Sequence, residues 1–214
     1  MKKRQKTKLW LSQHRKDPYV KQAQKDGYRS RACYKLIDIL AKHPVCRKAS
    51  RICELGSAPG GWTQVLREQQ PSAEIVAVDL LPMAEVPGVL FRQGDCRDPD
   101  VRSWLVEHGP YDFICSDMSP NKMGVADVDQ ARAVDLWEMC LDLCEEVCAP
   151  SGHLLLKIFH SKGFDTFVKE ARQRFEKVYL IKPDASRSRS RELYLLGKGF
   201  TLSKETRRES LTTK

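Results

Sequence analysis

An apolar run, R51-I-C-E-L55, leads straight into G56-S-A-P-G-G-W62, a turn with the outline of the glycine-rich loops that hold dinucleotide pyrophosphates. Its details are wrong for phosphate. Ala58 puts a β-carbon where the backbone would have to approach the anion, and Pro59 removes an amide donor. Asp79 follows Gly56 by 23 residues, a separation at which a carboxylate reaches ribose hydroxyls in such folds. Asp95 and Asp117 add carboxylates after two further apolar runs. A nucleoside without phosphate suits this combination, and positive charge on it would favour the acidic edge. S-Adenosylmethionine, with its sulfonium, is such a molecule. Contacts to it are expected from Gly56, Pro59, Gly60, Gly61, Trp62, Asp79, Asp95 and Asp117, the glycines letting the backbone pass close and Trp62 offering an apolar wall. Asp95 taken alone fits a turn or helix-cap aspartate as well as a ligand contact.

A second constellation concerns proton transfer. Lys157 lies inside L154-L-L-K-I-F159, where an ammonium is costly unless that end of the strand opens onto a cleft; the alternative is a lysine that snorkels to solvent. Asp117, at the matching end of D112-F-I-C-S-D117, is its candidate partner. Glu192 opens the last apolar run, and Lys35 sits in an N-terminal helical segment. Two lysines and two acids are thus candidates for one site.

The elements that must position these residues follow from periodicity. Short apolar runs at 51–55, 74–78, 89–92, 111–116, 153–159, 177–182 and 192–197 alternate with segments long enough for helices, such as 61–69, 128–148 and 163–174. That alternation predicts a mostly parallel sheet covered by helices on both faces. Ligands bind outside the carboxyl ends of such strands, which is where the acids fall. Only about eleven residues join the last two runs, too few for a crossover helix, so the final strand is expected to be antiparallel. By analogy of fold, a seven-stranded sheet of that kind is the Rossmann-like class I S-adenosylmethionine-dependent methyltransferase sheet. A further helix is predicted from a cap at Ser30 to about His43, ahead of Pro44.

Composition limits the remaining classes. The 214 residues, 41% of them apolar, suit one domain. Residues 1–29 read as a basic arm, 30–200 as the methyltransferase domain and 201–214 as a flexible tail. Residues 1–35 hold twelve of the 37 basic residues against Asp17 and Asp26, leaving the other 179 with 25 basic and 26 acidic. Charge clustered in this way suits a polyanion, although a solvated leader would carry the same pattern. There is no run of eighteen apolar residues and no signal-peptide core, so a soluble chain is expected, with no membrane partner. The eight cysteines include no C-x-x-C pair and read as small core residues in a reducing compartment. Cys140, Cys144 and Cys148 repeat every four residues, as along one helical face, and no metal is expected.

Taken together, W10-L, D17-P-Y-V-K-Q-A-Q-K25, Y28-R-S-R-A32, K35-L, E54-L-G-S-A-P-G-G-W62, D79-L-L-P-M83, Q93-G-D95, S116-D-M-S-P-N121, L156-K157 and K182-P-D-A-S-R-S-R-S-R-E192 resemble the FtsJ family of ribosomal RNA large-subunit methyltransferases, over roughly residues 8–198. The resemblance implies methyl transfer from S-adenosylmethionine to the ribose 2′-hydroxyl of a uridine in 23S rRNA, on the assembled 50S subunit, by a cytoplasmic monomer. It carries the family's catalytic tetrad onto Lys35, Asp117, Lys157 and Glu192, with Lys157 as proton acceptor. RNA would be held by the basic arm and by Arg187, Arg189 and Arg191. Ser57 and Glu54 depart from the family pattern, which has alanine and aspartate there. Two other readings stay open: a methyltransferase for tRNA, mRNA cap or a base amino group, and a non-catalytic ribosome assembly factor.

Overall fold

The computed structural model describes residues 17–120, 123–187 and 190–201. In chain order the elements are α1 (Pro18–Asp26), α2 (Cys33–Lys42), β1 (Arg51–Leu55), α3 (Gly61–Gln69), β2 (Glu74–Asp79), β3 (Val89–Gln93), α4 (Pro99–Glu107), β4 (Tyr111–Ser116), α5 (Ala126–Val147), β5 (Cys148–Phe159), α6 (Phe164–Arg174), β6 (Phe175–Ile181) and β7 (Glu192–Phe200). They form one seven-stranded sheet in the order β3-β2-β1-β4-β5-β7-β6. β7 slots between β5 and β6 and runs antiparallel to both, whereas the β1, β2, β3, β4 and β5 pairings are parallel. The expected doubly covered sheet with an antiparallel last strand is therefore what the chain builds.

Strand alternation decides which helical layer each side chain meets. Cys53, Leu55, Ile114, Leu154, Leu156 and Ile158 pack on one face with residues of α4, α5 and α6. Ile52, Phe113, Cys115, Leu155, Tyr194 and Leu196 pack on the other with α1, α2 and α3. Lys157 shares the parity of Leu155, so it belongs to the second face. That is the side on which α2 carries Lys35.

The N-terminal boundary needs correction. Asp17 caps α1 by accepting the Tyr19 N–H at 3.1 Å, Pro18 occupies the first helical turn, and Gly27 closes the helix in the left-handed region. Ala23 of this helix is buried in the second core cluster. From residue 17 onward the basic arm is thus part of the folded domain. Residues 1–16 lie outside the described residues, as do Asn121, Arg189 and the tail from 202. α2 starts at Cys33, not Ser30; the Ser30 hydroxyl instead accepts the Ala32 N–H at 3.1 Å in the preceding turn. Cys140 and Cys144 share α5, but Cys148 begins β5. All eight cysteines are buried and carry free thiols.

Gly61 marks where this N-terminal segment presses on the start of α3. A β-carbon there would lie 2.9 Å from Ser30 Cβ and 3.3 Å from the Ser30 backbone. We expect Gly61→Ala to lower stability by about 1–2 kcal/mol through this crowding. Urea unfolding measures it, and an unchanged midpoint would mean that the Ser30 turn yields freely.

Candidate active site

The loop that follows β1 consumes its own amides. Gly56 and Ser57 N–H donate to Val78 O at 2.7 and 3.2 Å, Gly60 N–H to Ser57 O at 2.7 Å, and Ala58 N–H to Asp79 Oδ2 at 2.8 Å. Pro59 has no N–H to give. A loop so occupied is a poor phosphate cradle, which is the physical content of its departure from the dinucleotide pattern.

Beside it, at the carboxyl ends of β1, β2, β3 and β4, lies a cavity of about 720 Å³. Asp79, Asp95, Asp117 and Asp135 line it together with Leu80, Leu81, Met118, Leu136 and Met139. Arg97 and Arg132 line it too, so four carboxylates face two guanidinium groups; acids in excess beside apolar side chains suit a cationic nucleoside, and the volume falls in the usual range for small-molecule sites. Gly56, at φ +77°, also faces it; a β-carbon there would collide with Met118 Cγ at 2.0 Å. Asp79 and Asp95 have structural duties as well. Asp79 Oδ1 accepts the Leu81 N–H at 2.8 Å, and Asp95 Oδ1 accepts the Arg97 N–H at 2.9 Å.

Pro59, Gly60, Gly61 and Trp62 lie outside the cavity lining. Trp62 is buried, donates its indole N–H to Ala32 O at 2.8 Å and sets its ring 5.7 Å from Tyr194, so it braces the core. Gly60 opens α3 in the left-handed region, and the atoms its β-carbon would meet belong to Arg29 and Met83. The close approach at these glycines is therefore to Arg29 and Ser30 of the N-terminal segment and to Met83 after β2.

Lys35, Asp117, Lys157 and Glu192 come together on the α2 side of the same edge. Lys157 Nζ lies 3.1 Å from Asp117 Oδ1 and also donates to the Asp117 carbonyl. Lys35 Nζ lies 2.8 Å from Glu192 Oε1. Antiparallel pairing sets Glu192 opposite Phe159 and Tyr194 opposite Lys157. Burial pushes the Lys157 ammonium below its ordinary pKa and Lys35 adds to this, while Asp117 and Glu192 oppose it. Burial pushes Glu192 upward, but Lys35, Ser186 and Lys157 outweigh it and hold the carboxyl below its ordinary value.

The model of the FtsJ-like methyltransferase family matches residues 28–200. Ribosomal RNA large subunit methyltransferase E of Pseudomonas fluorescens (strain Pf0-1) is 46% identical over 92% of this chain and 97% of its own length. The protein of that name from Legionella pneumophila (strain Corby) is 47% identical over the same shares. The chain belongs to the FtsJ-like methyltransferase family. A solved structure described as a ribosomal RNA methyltransferase from Plasmodium falciparum matches with a TM-score of 0.72 at 27% identity, covering 81% of this chain and 98% of that one. Among the described residues of this methyltransferase, no helix is long and apolar enough to cross a membrane, and no group of three His, Cys, Asp or Glu is placed to hold a metal ion.

Sequence reasoning missed four contributors to this methyltransferase's site. Tyr194 donates its hydroxyl to Asp117 Oδ1 at 2.5 Å, the oxygen that also faces Lys157, and its ring lies 5.8 Å from Lys35 Nζ. Arg29, counted with the basic arm, donates to Ala84 O and Glu85 O at 2.7 Å and to Pro59 O at 3.4 Å, tying the loop after β1 to the one after β2. Asp17 receives both Arg31 and Arg187, the latter at 3.1 Å, while Arg31 also reaches Ala185 O. Arg187 therefore joins α1 to the segment before β7 as well as presenting charge.

Glu54 adds a pH-sensitive element beneath the loop. It accepts the Thr63 hydroxyl at 2.6 Å, and burial, aided by Asp117 and Asp79, pushes its carboxyl up to about 8 from an ordinary 4.5. The folded protein thus keeps a proton that the unfolded chain loses, so stability falls as pH rises between those values. Glu54→Gln stays neutral throughout and is expected to lose less stability between about pH 5 and about pH 8 than the wild type. Urea titrations at both ends provide the comparison; equal losses would mean that Glu54 is already ionised in the fold.

Proposed function

We propose that this methyltransferase transfers a methyl group from S-adenosylmethionine to the ribose 2′-hydroxyl of a uridine in 23S rRNA, on the assembled 50S subunit. The observation that carries the reading is the buried Lys157 amine held against Asp117, a carboxylate that also lines the cavity. The names and close identity of the relatives support ribosomal RNA as substrate. S-Adenosylmethionine, when bound, would supply the methyl group on a positively charged sulfur. Asp79 and Asp95 would hold the ribose and adenine ends of the molecule, with Gly56 and Asp117 close to its remainder.

The protein's share of the chemistry is orientation and proton removal. Lys157 takes the 2′-hydroxyl proton onto Nζ as the oxygen gains its methyl group, which requires the neutral amine. Burial and the Lys35 charge favour that neutral form. Asp117 has its Oδ1 fixed by Tyr194 and Lys157, so it orients the amine and the hydroxyl between them. Lys35 and Glu192 hold each other at the far side and position the ribose. The charges of the N-terminal segment, Arg187 and Arg191 hold RNA phosphates, so binding weakens with added salt. Arg189 is assigned to that set on sequence alone.

Lys157→Ala is expected to lower the single-turnover rate of methyl transfer to 50S particles by about 10²–10⁴-fold, with cofactor affinity little changed. Labelled-methyl transfer to 50S particles, free rRNA and tRNA, followed by mass mapping of the product, identifies the acceptor. A wild-type rate in the variant would remove Lys157 from the mechanism. Labelling of tRNA in preference to the particle would replace the proposed substrate.

A further inference from the structure

One exposed ring stands at the end of β5 beyond the tetrad. His160 directly follows Phe159, the register partner of Glu192, and donates its backbone N–H to Arg191 O at 3.2 Å. The main chain is thereby fixed one residue past the catalytic edge. The His160 imidazole stacks on Phe164, with centroids 4.4 Å and planes 24° apart. Phe164 is buried and belongs to the first core cluster, whereas His160 is exposed. A flat ring in water therefore rests on a rigid apolar base.

Its position matters more than its type. His160 is three positions along from Lys157, about 10 Å at the rise of a strand. Between them Phe159 lies beneath the Lys157 ammonium, at 5.9 Å. On the other side, the main chain at the exposed Lys162 is held by its backbone N–H, which donates to Gln130 Oε1 at 3.1 Å. An exposed ring on a fixed base, with a cation two residues away, is the arrangement proteins use to stack an unpaired base and hold its phosphate.

We infer that His160 is the stacking platform for a nucleobase of the RNA acceptor next to the reactive ribose, with Lys162 against the adjoining phosphate. This rests on the RNA-acceptor reading above. Its role is in substrate affinity and placement, not in the proton transfer. The ring's π-face is what the base would use, so another aromatic residue should serve in its place.

Steady-state methylation of 50S particles by wild type, His160→Ala and His160→Phe tests the inference, with thermal melting as a check on folding. The expected result is a KM for particles raised about tenfold in His160→Ala, with kcat and the KM for S-adenosylmethionine near wild type, and a KM restored in His160→Phe. An unchanged KM in His160→Ala overturns the inference, leaving the ring only as a cover for Phe164. An equal rise in both variants overturns stacking as its basis. If the wild type itself transfers no methyl group to RNA, the RNA-acceptor reading fails and this inference fails with it.

Discussion

A lysine amine buried at the end of β5 is the constraint around which the candidate site is organised. An ammonium in that position must be paired or discharged. The fold supplies a partner, Asp117 on the neighbouring strand, and a second cation, Lys35, that works against full pairing. The balance leaves Lys157 easier to deprotonate than an ordinary lysine. For the proposed chemistry that is the useful outcome, because a permanently charged ammonium could not accept a proton.

Holding this arrangement takes most of the α1–α3 layer. Tyr194 is its hub: it donates to Asp117, lies beneath Lys35 and packs against Trp62, which in turn is anchored to Ala32 at the start of α2. Asp17 joins α1 to Arg31 and to Arg187 of the segment before Glu192. Arg29 joins the same N-terminal segment to the loops that frame the cavity. The basic N-terminal region is therefore more than a charged tether. From residue 17 it is built into the support of both the tetrad and the cavity.

The strand pattern and the acids at the strand ends were legible because they depend on local periodicity and on one topological rule. Asp79, Asp95 and Asp117 fall at the cavity for that reason, and Glu192 reaches the same edge of the sheet, opposite Phe159, because the last strand is antiparallel. α1 was obscured by its charge, although D17-P18 and Gly27 carried the cap signals of a short helix. The contacts of Tyr194 and Trp62 were not legible in the sequence. A core tyrosine and a core tryptophan look alike whether they fill space or orient a carboxylate, and only tertiary neighbours distinguish these roles. Arg29, Arg31 and Arg187 were read as surface charge for the same reason, since their carbonyl and carboxylate partners lie far away in sequence.

The central claim is that Lys157 acts as a neutral amine, a form its surroundings make easier to reach than in an ordinary lysine. The pH dependence of the single-turnover methyl-transfer rate, at saturating cofactor and RNA, tests it most directly in the wild type and in Asp117→Asn. The account requires a rate that rises with pH through one ionisation below the ordinary lysine value of 10.5, moved lower still in Asp117→Asn because the carboxylate that favours the ammonium is gone. A rate independent of pH over that range, or an ionisation that stays put when Asp117 loses its charge, would contradict it.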